Sequence, residues 1–431
     1  MNSSDRVREC ARAATLIVAA LAVPAMVLGQ SVSGEQAASR EQAASDRQRA
    51  SEEQATPEAK SEGERGVFRM GDSPSVRLGD QLRVDLHARI QGDVGLQEES
   101  ATEPDRFAWG SRRIGVDGVL FRRVQFQIER ELDTENPWRD VFADVRLHRA
   151  VRIRVGHFKV PFSMERTTSA FDLDFIARAE VVTDMSPRRQ NGIMLHGRGP
   201  RRLLEYEFGV FRLAEPPVQP FVAEGSDGLM MTAARVIVSP GAASIGVAFT
   251  DSRLPEGFHG LSTHFDDDGL LSSEDFYVNG RRRRLGVEGR WTAGRLSIKG
   301  ELLRQADSRK GESVSNGDLS DLIVDGGYVT GLWRVVGSPR RSRRAVDIGM
   351  RFERIGVHSA DRTDAPSLSP RADHIAPLRQ SALTLGGNWL VNRWVKVQLN
   401  AIHQSFVDEA GIRPEIPRAR WRSLMRLQFS M

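Results

Sequence analysis

From about residue 82 onward the chain keeps returning to one pattern, in which apolar and polar side chains alternate over runs of about 9 to 11 residues. A β-strand sends successive side chains to opposite faces, so each run makes a ribbon with one apolar and one polar side. A helix cannot use a period of two. In the first run Val84, Leu86, Ala88 and Ile90 alternate with Arg83, Asp85, His87, Arg89 and Gln91. Val141, Ala143, Val145 and Leu147 do the same against Asp140, Asp144 and Arg146, as do Val151, Ile153 and Val155 against Arg152 and Arg154. At the end, Trp421, Met425, Leu427, Phe429 and Met431 oppose Arg422, Arg426, Gln428 and Ser430.

Sixteen runs can be marked: 82–94, 111–120, 122–132, 138–148, 150–158, 191–198, 203–213, 230–238, 243–251, 284–293, 295–304, 327–336, 344–354, 381–390, 394–405 and 421–431. The alternation is interrupted in 191–198, 230–238 and 327–336. Long connections (95–110, 159–190, 214–229, 252–283, 305–326, 355–380, 406–420) take turns with short ones, and only 133–137 is short for its place. Runs of this length suit a tilted bilayer crossing, which takes about 9–11 residues, and exceed the roughly 5–6 usual in soluble sheets. Outer-membrane barrels combine short periplasmic turns with long extracellular loops. The expected fold is therefore all-β, a 16-stranded antiparallel transmembrane β-barrel over 67–431 that leaves an aqueous channel. A soluble β-sandwich or propeller, with the same alternation, is the alternative.

The N-terminal segment agrees with export. Arg6, Arg8 and Arg12 precede an apolar run from Ala13 to Leu28 that contains Pro24 and is followed by Gly29. At about 16 residues the run falls short of the roughly 20 that a spanning helix needs. Its layout is that of a secretory signal peptide, 1–29, cut after Gly29, with an uncleaved anchor as the alternative. Residues 30–66 hold almost no large apolar side chain and repeat Glu35–Ser39 as Glu41–Ser45, so a low-complexity, solvated periplasmic segment is expected there. The single cysteine, Cys10, leaves with the signal, which excludes disulfides, thiolate chemistry and cysteine metal sites from the mature chain. Basic residues number 61 against 57 acidic, and of the basic ones only Lys60, Lys159, Lys299, Lys310 and Lys396 are lysine. Guanidinium groups pair bidentately with phosphate and carboxylate, although a composition bias of the genome gives the same enrichment. Acidic residues are interspersed among the basic ones, so no nucleic-acid partner is expected.

The segment from Val155 to Ala179 has a more specific wording. Gly156, Phe158, Lys159, Pro161 and Phe162 end a strand, and Asp172, Leu173, Phe175, Ile176 and Arg178 follow in the third long connection. This stretch resembles the central signature of the phosphate-selective porin O and P family, with Gly156, Phe158, Pro161, Phe162, Asp172 and Phe175 as its most recognisable members. The resemblance implies a sixteen-stranded, commonly homotrimeric porin that passes anions and favours phosphate. It also implies that this connection folds back into the lumen.

A pore of that kind needs cationic donors that partly replace the hydration of an oxyanion and then release it. The anion-pathway candidates are Lys159, Arg166 and Arg178 on the loop and Arg83, Arg89, Arg113, Arg152 and Arg154 on polar strand faces. For any one of them taken singly, membership of an ion-pair lattice that stiffens the wall is the stronger reading. The polar faces also carry Asp85, Asp117, Glu129, Asp140, Asp144, Glu205, Glu207, Glu288, Glu301 and Asp347, so the lumen is mixed in sign. Arginine in place of lysine grips phosphate more tightly and slows its release. Met431 stands where barrels of this kind usually carry Phe.

The remaining signals are weaker. His264, Asp266, Asp267, Asp268 and Gly269 lack the alternating ligands and closing Glu of a calcium loop. The runs Arg281–Arg284 and Arg340–Arg344 fit solvated surfaces, the first at the end of a long outer loop where lipopolysaccharide is the neighbour. Nucleophile elbow, zinc and phosphate-loop motifs are missing, so neither enzyme activity, metal nor cofactor is expected. The expected function is passive diffusion of small anions, with phosphate as the candidate solute, through a homotrimeric porin embedded among outer-membrane lipid and lipopolysaccharide. The alternatives are a porin of broad or cation-tolerant selectivity, and a secreted soluble β-protein that binds a surface or carbohydrate.

Overall fold

The computed structural model describes residues 67–70, 73–97, 107–132, 137–199, 202–213, 229–260, 275–338, 344–359, 378–408 and 418–431. The expected signal peptide, the segment 30–66 and the acidic run 264–269 lie outside them. The described strands are β1 (Val67–Met70), β2 (Pro74–Leu78), β3 (Leu82–Gln97), β4 (Ala108–Leu120), β5 (Val124–Glu131), β6 (Trp138–His148), β7 (Val151–Lys159), β8 (Arg189–Arg198) and β9 (Leu204–Arg212). They continue as β10 (Met230–Val238), β11 (Ala243–Gly260), β12 (Asp275–Ala293), β13 (Leu296–Arg309), β14 (Leu319–Val336), β15 (Ala345–Ser359), β16 (Leu378–Leu390), β17 (Val395–Asp408) and β18 (Ala419–Ser430). Two short helices, α1 (Met164–Thr167) and α2 (Glu180–Met185), lie between β7 and β8.

Consecutive strands from β3 to β18 pair antiparallel, and β18 returns to β3 from Arg422↔Gln97 to Ser430↔Arg89, so sixteen strands close into a barrel. Met431 completes the seam: its N–H donates to Ala88 O at 2.9 Å and its carbonyl accepts from Ala88 N–H at 3.2 Å. Closure leaves no sheet edge to be satisfied by lipid. Each of the sixteen alternating runs overlaps one of these strands. The β1–β2 hairpin was not expected; β2 pairs with the start of β3 from Ser75↔Asp85 to Leu78↔Leu82. The other difference is strand length at the long-loop ends, where β11 continues to Gly260, β12 begins at Asp275 and β14 at Leu319. The ladder runs on there because backbone pairing needs no apolar face once the strand has left the hydrocarbon.

The barrel is apolar outside and polar inside. On β15 Ile348, Met350 and Phe352 are exposed while Arg351 and Glu353 are buried; on β18 Trp421, Met425, Leu427 and Phe429 are exposed while Arg422, Arg426 and Gln428 are buried. Two apolar clusters interrupt the polar interior. Met194 of β8 and Met231 and Ala233 of β10 turn inward to pack with Phe142, Phe158, Val160 and Phe211. Leu322, Val324 and Tyr328 of β14 join Ile355, Val357, Leu378 and Phe406 around Phe162, Val181, Val182 and Met185 of the β7–β8 connection. Met194, Met231 and Tyr328 fall inside the interrupted runs 191–198, 230–238 and 327–336, where apolar side chains on both faces make the period-two signal fade.

Candidate functional site

The β7–β8 connection, residues 160–188, folds into the lumen, and its course begins at a glycine. Gly156 has φ +137° and lies so close to β6 that a Cβ would meet Val141 O at 2.3 Å, so no larger residue fits. Beyond Lys159, Val160, Pro161, Phe162 and Ser163 are all buried. Ser163 caps α1, its Oγ accepting from Arg166 N–H at 3.1 Å. Two further amides of that turn, Met164 N–H and Glu165 N–H, donate to the Glu301 carboxylate on β13 at 3.0 and 2.8 Å. Tyr328 Oη donates to the same carboxylate at 2.8 Å.

The loop then follows the wall from β13 round to β18. Lys299 Nζ pairs with the Asp174 carboxylate at 2.5 Å. Asn388 donates to Asp174 O at 2.8 Å and Lys396 Nζ to Leu173 O at 2.7 Å. Ile176 N–H donates to Asn400 Oδ1 at 2.7 Å, Arg426 Nη1 to Ile176 O at 2.9 Å, and Gln428 Nε2 to Phe171 O at 2.9 Å. Glu180 N–H, opening α2, donates to Glu353 Oε2 at 2.6 Å. Irregular backbone at membrane depth is tolerated only where protein satisfies its polar groups, and the inward amides and cations of these strands supply that. Asp184 of α2 is buried with no partner for Oδ2. Burial, reinforced by Glu180 and Glu353, holds its carboxyl well above the usual range.

Among the loop cations expected from sequence, Lys159 Nζ donates to Thr167 O at 2.9 Å and Thr168 O at 2.8 Å. Arg178 donates to Glu165 O at 3.1 Å and Thr168 O at 2.7 Å. Both shape the loop through its carbonyls. Burial lowers the Arg178 guanidinium to about 10, which leaves it charged at neutral pH. Arg166 lies half-buried on α1. Of the signature residues, Phe158, Pro161, Phe162 and Phe175 are buried, Phe175 under the Arg351 guanidinium at 5.0 Å, and Asp172 is exposed.

The other five candidates lie on β3, β4 and β7. Arg89 and Arg113 both reach Glu129, at 3.0 and 3.3 Å, and Arg113 reaches Glu131 at 2.6 Å. The ring of Phe171 sits between these two arginines, 5.5 and 5.4 Å from their guanidinium carbons, and links the loop to this wall. Arg154 pairs with Asp144 at 2.9 Å and lies 4.1 Å over the Phe142 ring. Arg152 donates to Gln125 at 3.0 Å, and Arg83 pairs with Asp85 at 3.0 Å. The lattice also includes residues the sequence did not single out: Arg139 on Glu131 at 3.0 Å, Arg189 on Asp140 at 2.7 Å, and His196 on Asp144 at 2.7 Å. The inward Asn and Gln of β16–β18 were missed as well, although uncharged amides on an otherwise charged face were the available signal.

The lattice is layered. Glu129, Glu131 and Asp144 are 1, 3 and 1 % exposed, whereas their partners Arg89, Arg139 and Arg154 are 24, 27 and 25 % exposed. The carboxylates lie against the sheet and the guanidinium groups cover them. Elsewhere the order reverses, as with Arg235 at 5 % and Glu207 at 27 %.

A family model described as phosphate-selective porin O and P matches residues 84–231 and 264–429, which include the inward loop, both walls and the closing strand. The chain belongs to this porin family. It is an outer-membrane protein and a channel in its architecture. No curated protein sequence matches it. In fold the porin is similar to the trimer form of OmpT from Vibrio cholerae, at 13 % identity and TM-score 0.55 over 82 % of this chain and 100 % of that one. It is also similar to the outer membrane channel DcaP of Acinetobacter baumannii, at 10 % identity and TM-score 0.52 over 82 and 98 % of the two chains. OmpF of Salmonella typhi, in complex with daunomycin, matches at 10 % identity and TM-score 0.52 over 85 and 100 %.

Proposed function

We propose that this porin passes small anions, phosphate among them, along the gap between the inward loop and the β3–β7 wall. The layered lattice carries the reading. An ion in the lumen responds to the charges it can approach, and on this wall those include the guanidinium groups of Arg89, Arg139 and Arg154, whose carboxylate partners are screened behind them, against the more open carboxylate of Asp117, which is paired with His87. The formal balance of acids and bases is thereby compatible with a basic accessible surface. Lys159 and Arg178 support the field from the loop side at one remove, since their donors already serve loop carbonyls. A homotrimer, the form of the similar OmpT structure, belongs to the same proposal.

The reversal potential of the reconstituted pore in a salt gradient tests this. Anion preference is expected, together with block of chloride current by added phosphate. Arg89→Gln, Arg139→Gln and Arg154→Gln, made singly, should each move the potential toward cations. Single replacement is tolerable because Glu129 and Glu131 keep Arg113 and Asp144 keeps His196. A cation-preferring wild-type pore would overturn the proposal in favour of the second reading, a cation-tolerant channel, which the exposed Asp172 and Glu207 favour.

A further inference from the structure

The outer surface of β11 and β12 changes character at one level. Ile245, Val247 and Phe249 on β11 and Leu285 and Val287 on β12 form an exposed apolar face. The next residues of the same parity toward the long connection are Asp251 and Arg253 on β11 and Arg283 and Arg281 on β12. In the ladder Arg253 stands opposite Arg281 and Asp251 opposite Arg283. Asp251 receives Arg281 at 3.1 Å and Arg283 at 3.4 Å, and those two arginines remain 56 and 58 % exposed. Arg253 is exposed too. Two guanidinium groups therefore share one carboxylate with a third, Arg253, directly opposite one of them, an arrangement that destabilises a sheet unless an anion lies between the facing pair.

The level is that of a headgroup. Trp291, opposite Ala243 at the short-turn end, is eight residues from Arg283, which is about 27 Å of strand. Tilted by about 45°, that gives about 19 Å of height against an apolar band of about 25 Å. Arg281, two residues further along at about 24 Å, and Arg253 opposite it stand at the border of the leaflet on the long-loop, extracellular side, with Arg283 just below. Exposed Arg304, Arg354 and Arg379 continue the belt on β13, β15 and β16, with Asp325 opposite Arg304.

We infer that this face binds a phosphorylated glycolipid of the outer leaflet, with acyl chains along Phe249, Leu285 and Val287 and a headgroup phosphate held by Arg253, Arg281 and Arg283. Guanidinium groups suit phosphate because they present paired donors. A second copy of the chain would bring like charge to like charge. The site lies outside the lumen, so it does not depend on the selectivity proposed above.

The test uses the full-length porin in detergent, immobilised, with diphosphoryl lipid A in mixed micelles as the probe. Arg281→Gln combined with Arg283→Gln should weaken retention about ten- to thirtyfold, as expected for two arginines at an anionic surface. Removing the lipid's phosphates should weaken binding to the wild type by a similar factor and to the variant hardly at all. Equal retention by variant and wild type, or equal retention of the dephosphorylated lipid, would overturn the site. Displacement of the lipid by equimolar inorganic phosphate would also overturn it, by making this a free-anion site. Heat-modifiable mobility reports whether the barrel has folded, and Arg253→Gln alone, expected to weaken retention severalfold, serves if the double variant has not.

Discussion

Glu301 offers the sharpest test of how the inward loop is held. Its carboxylate, 2 % exposed, accepts Met164 N–H, Glu165 N–H and Tyr328 Oη at 3.0, 2.8 and 2.8 Å. Glu301→Ala leaves three buried donors without an acceptor, at about 1–3 kcal/mol each. Two effects offset part of this: water can enter from the lumen, and the acid's repulsion with nearby Glu165 and Glu288 disappears. A net cost near the low end, about 3 kcal/mol, raises the population of detached loop about 150-fold, at about 1.4 kcal/mol per decade. The reporter is Val182→Cys, since Val182 is fully buried in the apolar cluster of α2. The chain's single cysteine, Cys10, lies in the expected signal peptide. With a small permeant thiol reagent, the labelling rate should rise about a hundredfold in the Glu301→Ala background. Glu301→Gln, which keeps the shape and one acceptor, should give an intermediate rate. A change under about threefold, with heat-modifiability intact, would refute the idea that this carboxylate fastens the loop.

The same reporter tests Asp184. Its raised pKa means that the seated loop keeps a proton that the detached loop loses, so seating should weaken as pH rises from the ordinary carboxylate range through the folded value. Asp184→Asn should strengthen protection at neutral pH and flatten its pH dependence; protection that grows with pH in the wild type would contradict this. Phe171→Ala removes the ring between Arg89 and Arg113, costing two contacts of about 0.5–1 kcal/mol each. Single-channel conductance should increase, and unchanged or reduced conductance would place Phe171 away from the ion path. Asp172→Asn removes the exposed carboxylate of the loop and should move the reversal potential further toward anions, the opposite direction to Arg154→Gln.

The barrel could be read from the chain because a strand's two faces are written locally. Leu86 and Ile90 face out and His87 and Gln91 face in for the same reason that they alternate. Sixteen repetitions with long and short connections then leave closure as the way to satisfy every edge. The three faded runs were legible as positions but not as causes, since Met194, Met231 and Tyr328 turn inward onto apolar clusters that neighbouring strands build together with Val160, Val181 and Val182 of the β7–β8 connection. The candidate site was legible in composition and not in arrangement. Arg89, Arg113 and Arg154 are lumen-wall cations as their parity implies, but which of them covers a carboxylate depends on strand register and side-chain depth. Lys159 and Arg178, chosen as pathway cations, turn out to hold Thr167 and Thr168 carbonyls.

The sequence by itself determined the sixteen strands of the barrel and the orientation of most of their side chains, because these follow from period two and connection length, while the inward course of the β7–β8 connection was implied by its resemblance to the porin signature. Only the tertiary structure decided what that loop touches. Glu301 with Met164, Arg426 with Ile176 and Arg426 with Asp93 join residues far apart along the chain. Such partners are brought together by barrel closure and the path of the loop across the lumen, neither of which leaves a local pattern.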